Sequence, residues 1–474
     1  MQTLSNIVNT IVGGVNNVLW NYLLLILLVG TGVFFTIRTR FVQIRRFGAA
    51  MKRVFGGIKL HGDKAGKEGM SSFQALATAI AAQVGTGNVA GCATALVSGG
   101  PGAIFWMWVA AFFGMATIYG EAFLAQITKT RDKEGHVIGG PVFYIRKAFG
   151  EKGFGKFLAV FFSIAIIIAL GFMGNMVQSN SIGDAFFTAF GVPKIAVGIA
   201  VAAVAAVIFI GGIGRIASVT EKIVPIMAAL YIVGSLVVII INVRAVPGAF
   251  ASIFVGAFSP RAVGGAVAGI AVRQAIRYGV ARGLFSNEAG MGSTPHAHAM
   301  AKVDTPEHQG ETAMVGVFID TFVVLTLTAL VILTSGVLNG MIESGISGIP
   351  VAQAAFSTGF GSRIGPAFVA ICLLFFAFST IIGWYFFAKT NITILFGKMG
   401  VLPFTVIALF FILLGSVLKV NLVWDLSDMF NGLMVIPNLI ALIALSGLVA
   451  KAAIDGHRRR ESEKMARSVR LMFT

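Results

Sequence analysis

Two short polar runs stand inside long apolar stretches of this chain, and both have the makings of a ligand site. The first is Gln83-Val84-Gly85-Thr86-Gly87-Asn88, within an apolar segment at 71–98. The second is Phe285-Ser286-Asn287-Glu288-Ala289-Gly290-Met291-Gly292-Ser293, within 266–300. In hydrocarbon, each backbone N–H or C=O released by a broken helix costs several kcal/mol unless something satisfies it. A break at mid-depth therefore needs a ligand, an ion, water or another part of the protein. Its half-helix ends offer N–H groups to a carboxylate and C=O groups to a cation. The simpler alternative for the first run is a glycine-rich packing helix. A dinucleotide fingerprint is excluded, because Gly85, Gly87 and Gly91 have the wrong spacing and follow no strand.

Other polar residues within apolar segments extend the list of candidates. Glu288 is an acid near the membrane interior, where it can balance a cation or an amino group, carry a proton, or serve as a structural carboxylate tied to Arg282 or to loose N–H groups. Ser379 and Thr380 offer adjacent hydroxyls, which suit either a hard cation such as Na⁺ or bonds back to their own helix. Asn175 and Gln178 are three apart and share a helix face, to line a site or to join helices, with Phe172 nearby. Trp384, four residues past Thr380, can cap a site or anchor at the interface. Arg273 and Arg277 read as a wet interfacial face, and Glu121 and Asp320 as structurally paired intramembrane acids. His296 and His298 lack further ligands, and Cys92 and Cys372 give neither a disulfide framework nor a metal spacing. No nucleophile and base stand with a third orienting group, so no hydrolase is read here.

The elements that must position these residues are membrane spans. Of 474 residues, 57% are hydrophobic and only 12% charged, about half the charge of a soluble domain. Apolar stretches recur at about 17–37, 71–98, 101–128, 157–188, 194–212, 216–242, 266–300, 308–340, 364–395, 400–418 and 424–450, which predicts eleven spans. The 58 glycines suit close helix packing in lipid. The net charge of +17 is not a nucleic-acid footprint, since no loop carries a basic-aromatic module. Residues 1–37 hold no charged residue, so a cleavable signal peptide is not expected.

The basic residues collect on one side. Of 36 Lys and Arg, 28 lie in 38–70, 129–156, the tail beyond 450 and the short loops on that side, against five opposite. This bias predicts an outer N-terminus and a cytoplasmic C-terminus. Each polar break opens a set of five spans, and an odd number inverts the second set relative to the first. The expected organisation is an extra N-terminal helix with a basic cytoplasmic segment (1–70), a first repeat (71–242), an extracellular connection (243–263), a second, inverted repeat (264–450) and a basic cytoplasmic tail (451–474).

At these residues the chain resembles the alanine/glycine:cation symporters, also called sodium:alanine symporters. Gln83–Asn88 is similar to that family's first broken helix, and Gly99-Gly100-Pro101-Gly102-Ala103-Ile104-Phe105-Trp106-Met107-Trp108 to its signature. Gly283–Ser293 with Pro295-His296-Ala297-His298 is similar to its second break. The resemblance covers essentially the whole chain. It implies an all-α polytopic protein of eleven helices in a LeuT-like five-plus-five inverted repeat plus one N-terminal helix. It implies a cell-membrane carrier, not an enzyme, that needs no cofactor and takes up alanine or glycine with Na⁺ as coupling ion; some relatives prefer glutamine. Carried over by position, Ala81 and Val84 offer carbonyls and Ser379 and Thr380 hydroxyls to one Na⁺. Gln83, Thr86, Asn175 and the second break bind the amino acid, with bulk near Phe172 and Trp384 selecting small side chains. A proton-driven carrier, a carrier of another solute such as a nucleobase, and an ion channel are the alternatives. The sequence does not set an oligomeric state.

Overall fold

The computed structural model describes residues 2–56, 69–258, 268–418 and 420–456. Apolar side chains cover its outside: Ile26, Val233 and Leu402 are 69%, 61% and 73% exposed. Its core is largely apolar as well, and polar side chains are buried within it, Gln83, Asn88, Asn175, Glu288, Asp320 and Thr380 among them. The apolar outside fits a bundle solvated by lipid, whose backbone must be satisfied internally.

Among the described residues, eight helices are long and apolar enough to cross a membrane: Thr10–Arg38, Gly102–Thr128, Gly153–Phe190, Gly212–Ile241, Pro306–Ser335, Ile349–Phe396, Lys398–Val417 and Val423–Ala444. A ninth span is the bent pair Ser72–Gln83 and Gly87–Gly99. The two further spans expected from the sequence fall on Lys194–Ile210, only 17 residues long, and on Ala268–Asn287, which carries three arginines and is followed by the short helix Pro295–Met300. The expected connection at 243–263 contains an apolar helix, Val246–Phe258. At 13 residues it is too short to span. The expected span at 364–395 belongs to a longer run, Ile349–Phe396, interrupted at Gly361 (φ 81°). Part of the basic segment (57–68), the end of the 243–263 connection with the start of the second repeat (259–267) and the tail from 457 lie outside the described residues.

Local chemistry explains where the helices that matter begin. Ser71 caps Ser72–Gln83: its hydroxyl accepts from the Gln74 amide N–H, and the Gln74 side chain accepts from the Ser71 N–H. Pro141, Pro295 and Pro306 each stand at the first position of a helix, where a missing N–H is harmless. The Gly99–Gly102 run has a packing role. A Cβ on Gly102 would lie 2.2 Å from the carbonyl carbon of Gly256, so only glycine lets Gly102–Thr128 meet Val246–Phe258 this closely.

The two ends of the bundle differ. At one, strand Met70–Ser71 pairs in parallel with Ala301–Lys302, joining the start of the first broken helix to the end of the second. Beside it Arg46 bonds Glu311 at 2.8 Å, Ser72 Oγ bonds Gln309 at 2.9 Å and Gln74 bonds Glu221 at 3.0 Å. At the other end lie cavities of about 620 and 680 Å³ that share Arg282 and Asp425 in their walls.

Candidate functional site

The capped helix Ser72–Gln83 ends where Val84 turns extended (φ −81°, ψ 92°), and the chain resumes 47° away through a π-helical turn, Gly87–Gly91, into Cys92–Gly99. Asn88 organises this first break. Its Oδ1 accepts from the Gly85 N–H at 3.0 Å, and its Nδ2 donates to the Asp320 carboxylate at 2.7 Å. The Thr86 N–H donates to Gln178 Oε1 at 3.3 Å.

The second break follows Asn287. Glu288 (φ 56°), Gly290 (φ 85°) and Gly292 (φ 82°) all lie in the left-handed region, which ends the helix. Protein groups take up the released backbone. Glu121 accepts from the Gly290 N–H at 2.9 Å and the Gly292 N–H at 3.0 Å. Asn438 donates to Glu121 at 2.7 Å and to the Gly290 carbonyl at 2.9 Å, and itself accepts from the Tyr144 hydroxyl. Asn287 Oδ1 accepts from the Ala289 N–H at 3.1 Å.

Asp320 lies where the two breaks meet. Besides Asn88 it accepts from Ser286 Oγ at 3.0 Å and Thr321 Oγ1 at 2.8 Å. Gln83 Nε2 reaches across to the Asn287 carbonyl at 2.8 Å, and a Cβ on Gly87 would lie 3.2 Å from Ser286 Cα. Asp320 lies within the π-helical segment Phe318–Leu325, and Asn175 directly follows another, Ile167–Gly174. Such bulges re-aim side chains and cluster at functional sites.

The hydroxyl pair has joined the same place. Ser379 Oγ and Thr380 Oγ1 donate to the Ala81 carbonyl at 3.2 and 2.9 Å, and both also bond back to Phe376 in their own helix. A Cβ on Gly85 would lie 2.5 Å from Thr380 Oγ1 and 3.3 Å from Gln178 Oε1, so the bare glycine keeps room beside them. Hydroxyl and carbonyl oxygens are the donor set a hard cation takes. Three buried oxygens around the first break have no hydrogen-bond partner among the described residues: Gln83 Oε1, Thr86 Oγ1 and Asn175 Oδ1. Buried polar groups are rarely left so, and Thr117 and Thr294 beside the second break keep such oxygens too.

Not every expected residue converges here. Phe172 is half-buried and packs on Phe404 and Phe411, with ring centroids 5.6 and 4.9 Å away, along an apolar surface groove shared with Ile164 and Pro403. Trp384 does reach the second break, donating from Nε1 to Glu288 at 2.5 Å and standing edge-on to Phe285 at 6.2 Å. Glu288 is not tied to Arg282, which pairs with Asp428 at 3.0 Å, and the loose N–H groups go to Glu121 instead. His296 bonds Ser293 and Asn391, and His298 bonds Gln309. The residues that sequence reasoning undervalued are Asp320, Glu121 and Asn438. The first two carried a signal, as acids inside apolar spans. Asn438 carried only its polarity.

Comparison with known proteins settles the class. The profile of the sodium:alanine symporter family matches residues 5–470. The chain belongs to that family. It is 41% identical over 454 residues to the sodium/alanine symporter AgcS of Methanococcus maripaludis, covering 96% of this chain and 98% of that one. It is also 41% identical over 463 residues to the probable sodium/glutamine symporter GlnT of Bacillus subtilis, covering 97% and 93%. Among solved structures it is similar to MhsT in complex with L-phenylalanine, at a TM-score of 0.53 and 12% identity, over 83% of this chain and 99% of that one. The fold is the LeuT-like one. The symporter is thus a multi-pass membrane protein and a secondary transporter rather than an enzyme.

Proposed function

We propose that this symporter couples Na⁺ to the uptake of a small neutral amino acid, alanine or glycine, by alternating access. The observation that carries the reading is a set of unpartnered buried oxygens, at Gln83 and Thr86 in the first break and at Asn175 on the helix whose Gln178 bonds Thr86, together with the Ala81, Ser379 and Thr380 oxygens joined at the end of the same broken helix. The oxygens of Gln83 and Asn175 accept from an ammonium. The Thr86 hydroxyl faces a carboxylate, while the Gly85 and Thr86 N–H groups, held here by Asn88 and Gln178, join it only by exchanging those partners. Ala81, Val84, Ser379 and Thr380 supply oxygens to Na⁺. The names of the relatives support alanine and sodium, and the second of them keeps glutamine in view.

The charge bias of the loops supports an outer N-terminus and a cytoplasmic C-terminus. In that orientation the Arg282–Asp425 cavities open outward, and the strand pair with Arg46–Glu311 closes the cytoplasmic end. A cation that binds one state more tightly biases the two-state equilibrium. Its inward movement draws about 2.3 kcal/mol per 100 mV from the membrane potential.

The test is uptake of labelled alanine, glycine, glutamine and leucine into proteoliposomes under imposed Na⁺ or H⁺ gradients. Saturable alanine or glycine uptake that requires inward Na⁺ is expected. Uptake driven by H⁺ with no Na⁺ requirement, or no uptake of either amino acid, contradicts the reading.

A further inference from the structure

Glu288 sits in the second break with its backbone in the left-handed region, and both of its carboxylate oxygens are engaged. Oε1 accepts from Trp384 Nε1 and Oε2 from Ser293 Oγ, each at 2.5 Å. No cation shares it among the described ion pairs, and the nearest arginine in sequence, Arg282, uses both terminal nitrogens on Asp428. A buried carboxylate spent on an indole N–H serves to hold that ring.

The ring stands in a telling place. Trp384 is 2% exposed and lies one helical turn beyond Thr380. One edge faces Phe285, next to Ser286. On another side, a Cβ on Gly174 would come within 2.5 Å of the ring's Cζ3, and the next residue is Asn175, whose Oδ1 has no partner. The indole therefore fills the space between Phe285–Ser286 and Gly174–Asn175, beside the oxygens assigned to the amino acid. Left untied, a tryptophan on this helix can swing about χ1 and χ2 and change the volume there.

We propose that Glu288 is a positioning residue for substrate size: by holding Trp384 Nε1 it fixes the indole as the wall that excludes long side chains. This rests on the small-amino-acid reading above. Ser293 completes the device, since its hydroxyl orients the other carboxylate oxygen. Fixing a wall matters because a single methylene in an apolar pocket changes discrimination by about 10- to 200-fold.

The experiment measures kcat/KM for alanine and for leucine, with the Na⁺ half-saturation, on Glu288→Ala, Glu288→Gln, Trp384→Phe and the Glu288→Ala/Trp384→Phe pair in proteoliposomes. Glu288→Ala and Trp384→Phe should each raise the leucine-to-alanine ratio by about tenfold. The pair should add little more, because both remove the same contact. Glu288→Gln keeps an acceptor for the indole and should restore the preference for alanine to within about threefold of wild type, given the modest net value of one hydrogen bond. Na⁺ half-saturation should stay put in all four, which a general loosening of the fold would not allow. If Glu288→Ala does not fold, Trp384→Phe and Glu288→Gln decide the question. A monodisperse Glu288→Gln that cannot transport would assign the acid a charge or proton role and overturn the proposal. So would an unchanged leucine-to-alanine ratio in Trp384→Phe. Failure of the underlying function shows separately, as wild-type protein that takes up neither alanine nor glycine.

Discussion

The two helix breaks solve one problem in opposite ways. At the second, the protein answers its own loose backbone: Glu121 takes the N–H groups of Gly290 and Gly292, and Asn438 takes the Gly290 carbonyl. At the first, the backbone is partly answered by Asn88 and Gln178, yet Gln83, Thr86 and Asn175 keep buried oxygens without partners. The same element, a glycine-broken helix in lipid, is held by Glu121 and Asn438 in one half and by Asn88 and Gln178 in the other, and the second break also keeps unpartnered oxygens beside it, at Thr117 and Thr294. Asp320 holds them together, taking Asn88 from the first and Ser286 from the second. Asp320 thus ties the two breaks through one carboxylate.

Substitutions should separate the two roles. The largest effect is expected from Gly85→Leu. Its side chain must displace Thr380 Oγ1, 2.5 Å from the new Cβ, and it fills the room beside Gln178. Leucine also favours a wound helix over glycine by about 0.8–1 kcal/mol, so the protein should insert normally and lose transport altogether. Uptake beside a size-exclusion profile checks this; a monodisperse variant that still transports would take the first break out of the site.

Glu121→Ala should strike stability instead. Two buried N–H groups lose their acceptor, at about 1–3 kcal/mol each, and the apparent melting temperature of the purified protein should fall. Alanine should still raise that temperature if the second break is scaffold. A variant as stable as wild type but unable to bind alanine would reverse the assignment.

Thr380→Ala is expected to raise the Na⁺ half-saturation by about tenfold, the equivalent of about 1.4 kcal/mol for one lost oxygen. Its alanine affinity at saturating Na⁺ should change less. No shift in Na⁺ dependence would leave the hydroxyl its bonds to Ala81 and Phe376 as its whole role. The smallest effect is expected from Phe172→Ala. Its ring lies on Phe404 and Phe411, so the leucine-to-alanine ratio should move by less than about threefold, a change worth well under 1 kcal/mol. A larger change would bring Phe172 back to the substrate.

Much of this arrangement was legible beforehand, for reasons particular to each residue. Glycine pairs in an apolar run announce a break because lipid penalises loose backbone, so 83–88 and 285–293 stood out. The adjacent hydroxyls at Ser379 and Thr380 were visible for the same reason. Hydropathy reports depth but not azimuth, and there the reading thinned. Phe172 and Asn175 share a span, yet Phe172 lies in the π-helical segment Ile167–Gly174 and packs on Phe404, while Asn175 just after it is buried. Nor does one sequence reveal that Glu121 serves Gly290, or that Asp320 serves Asn88, since those contacts cross 169 and 232 residues. Arg282 illustrates the limit: proximity in sequence suggested Glu288, but the next turns of the fold gave it Asp428.

Binding of the amino acid and Na⁺ together at the first break is the property most directly open to measurement. The decisive measurement is the affinity of purified protein for alanine across a series of Na⁺ concentrations at constant ionic strength. Both proposed sites use the same broken helix, so each ligand that fixes it strengthens the other, and alanine affinity should rise by about 5- to 150-fold between Na⁺-free and Na⁺-saturated protein. Alanine binding that is equally tight with and without Na⁺ would contradict it.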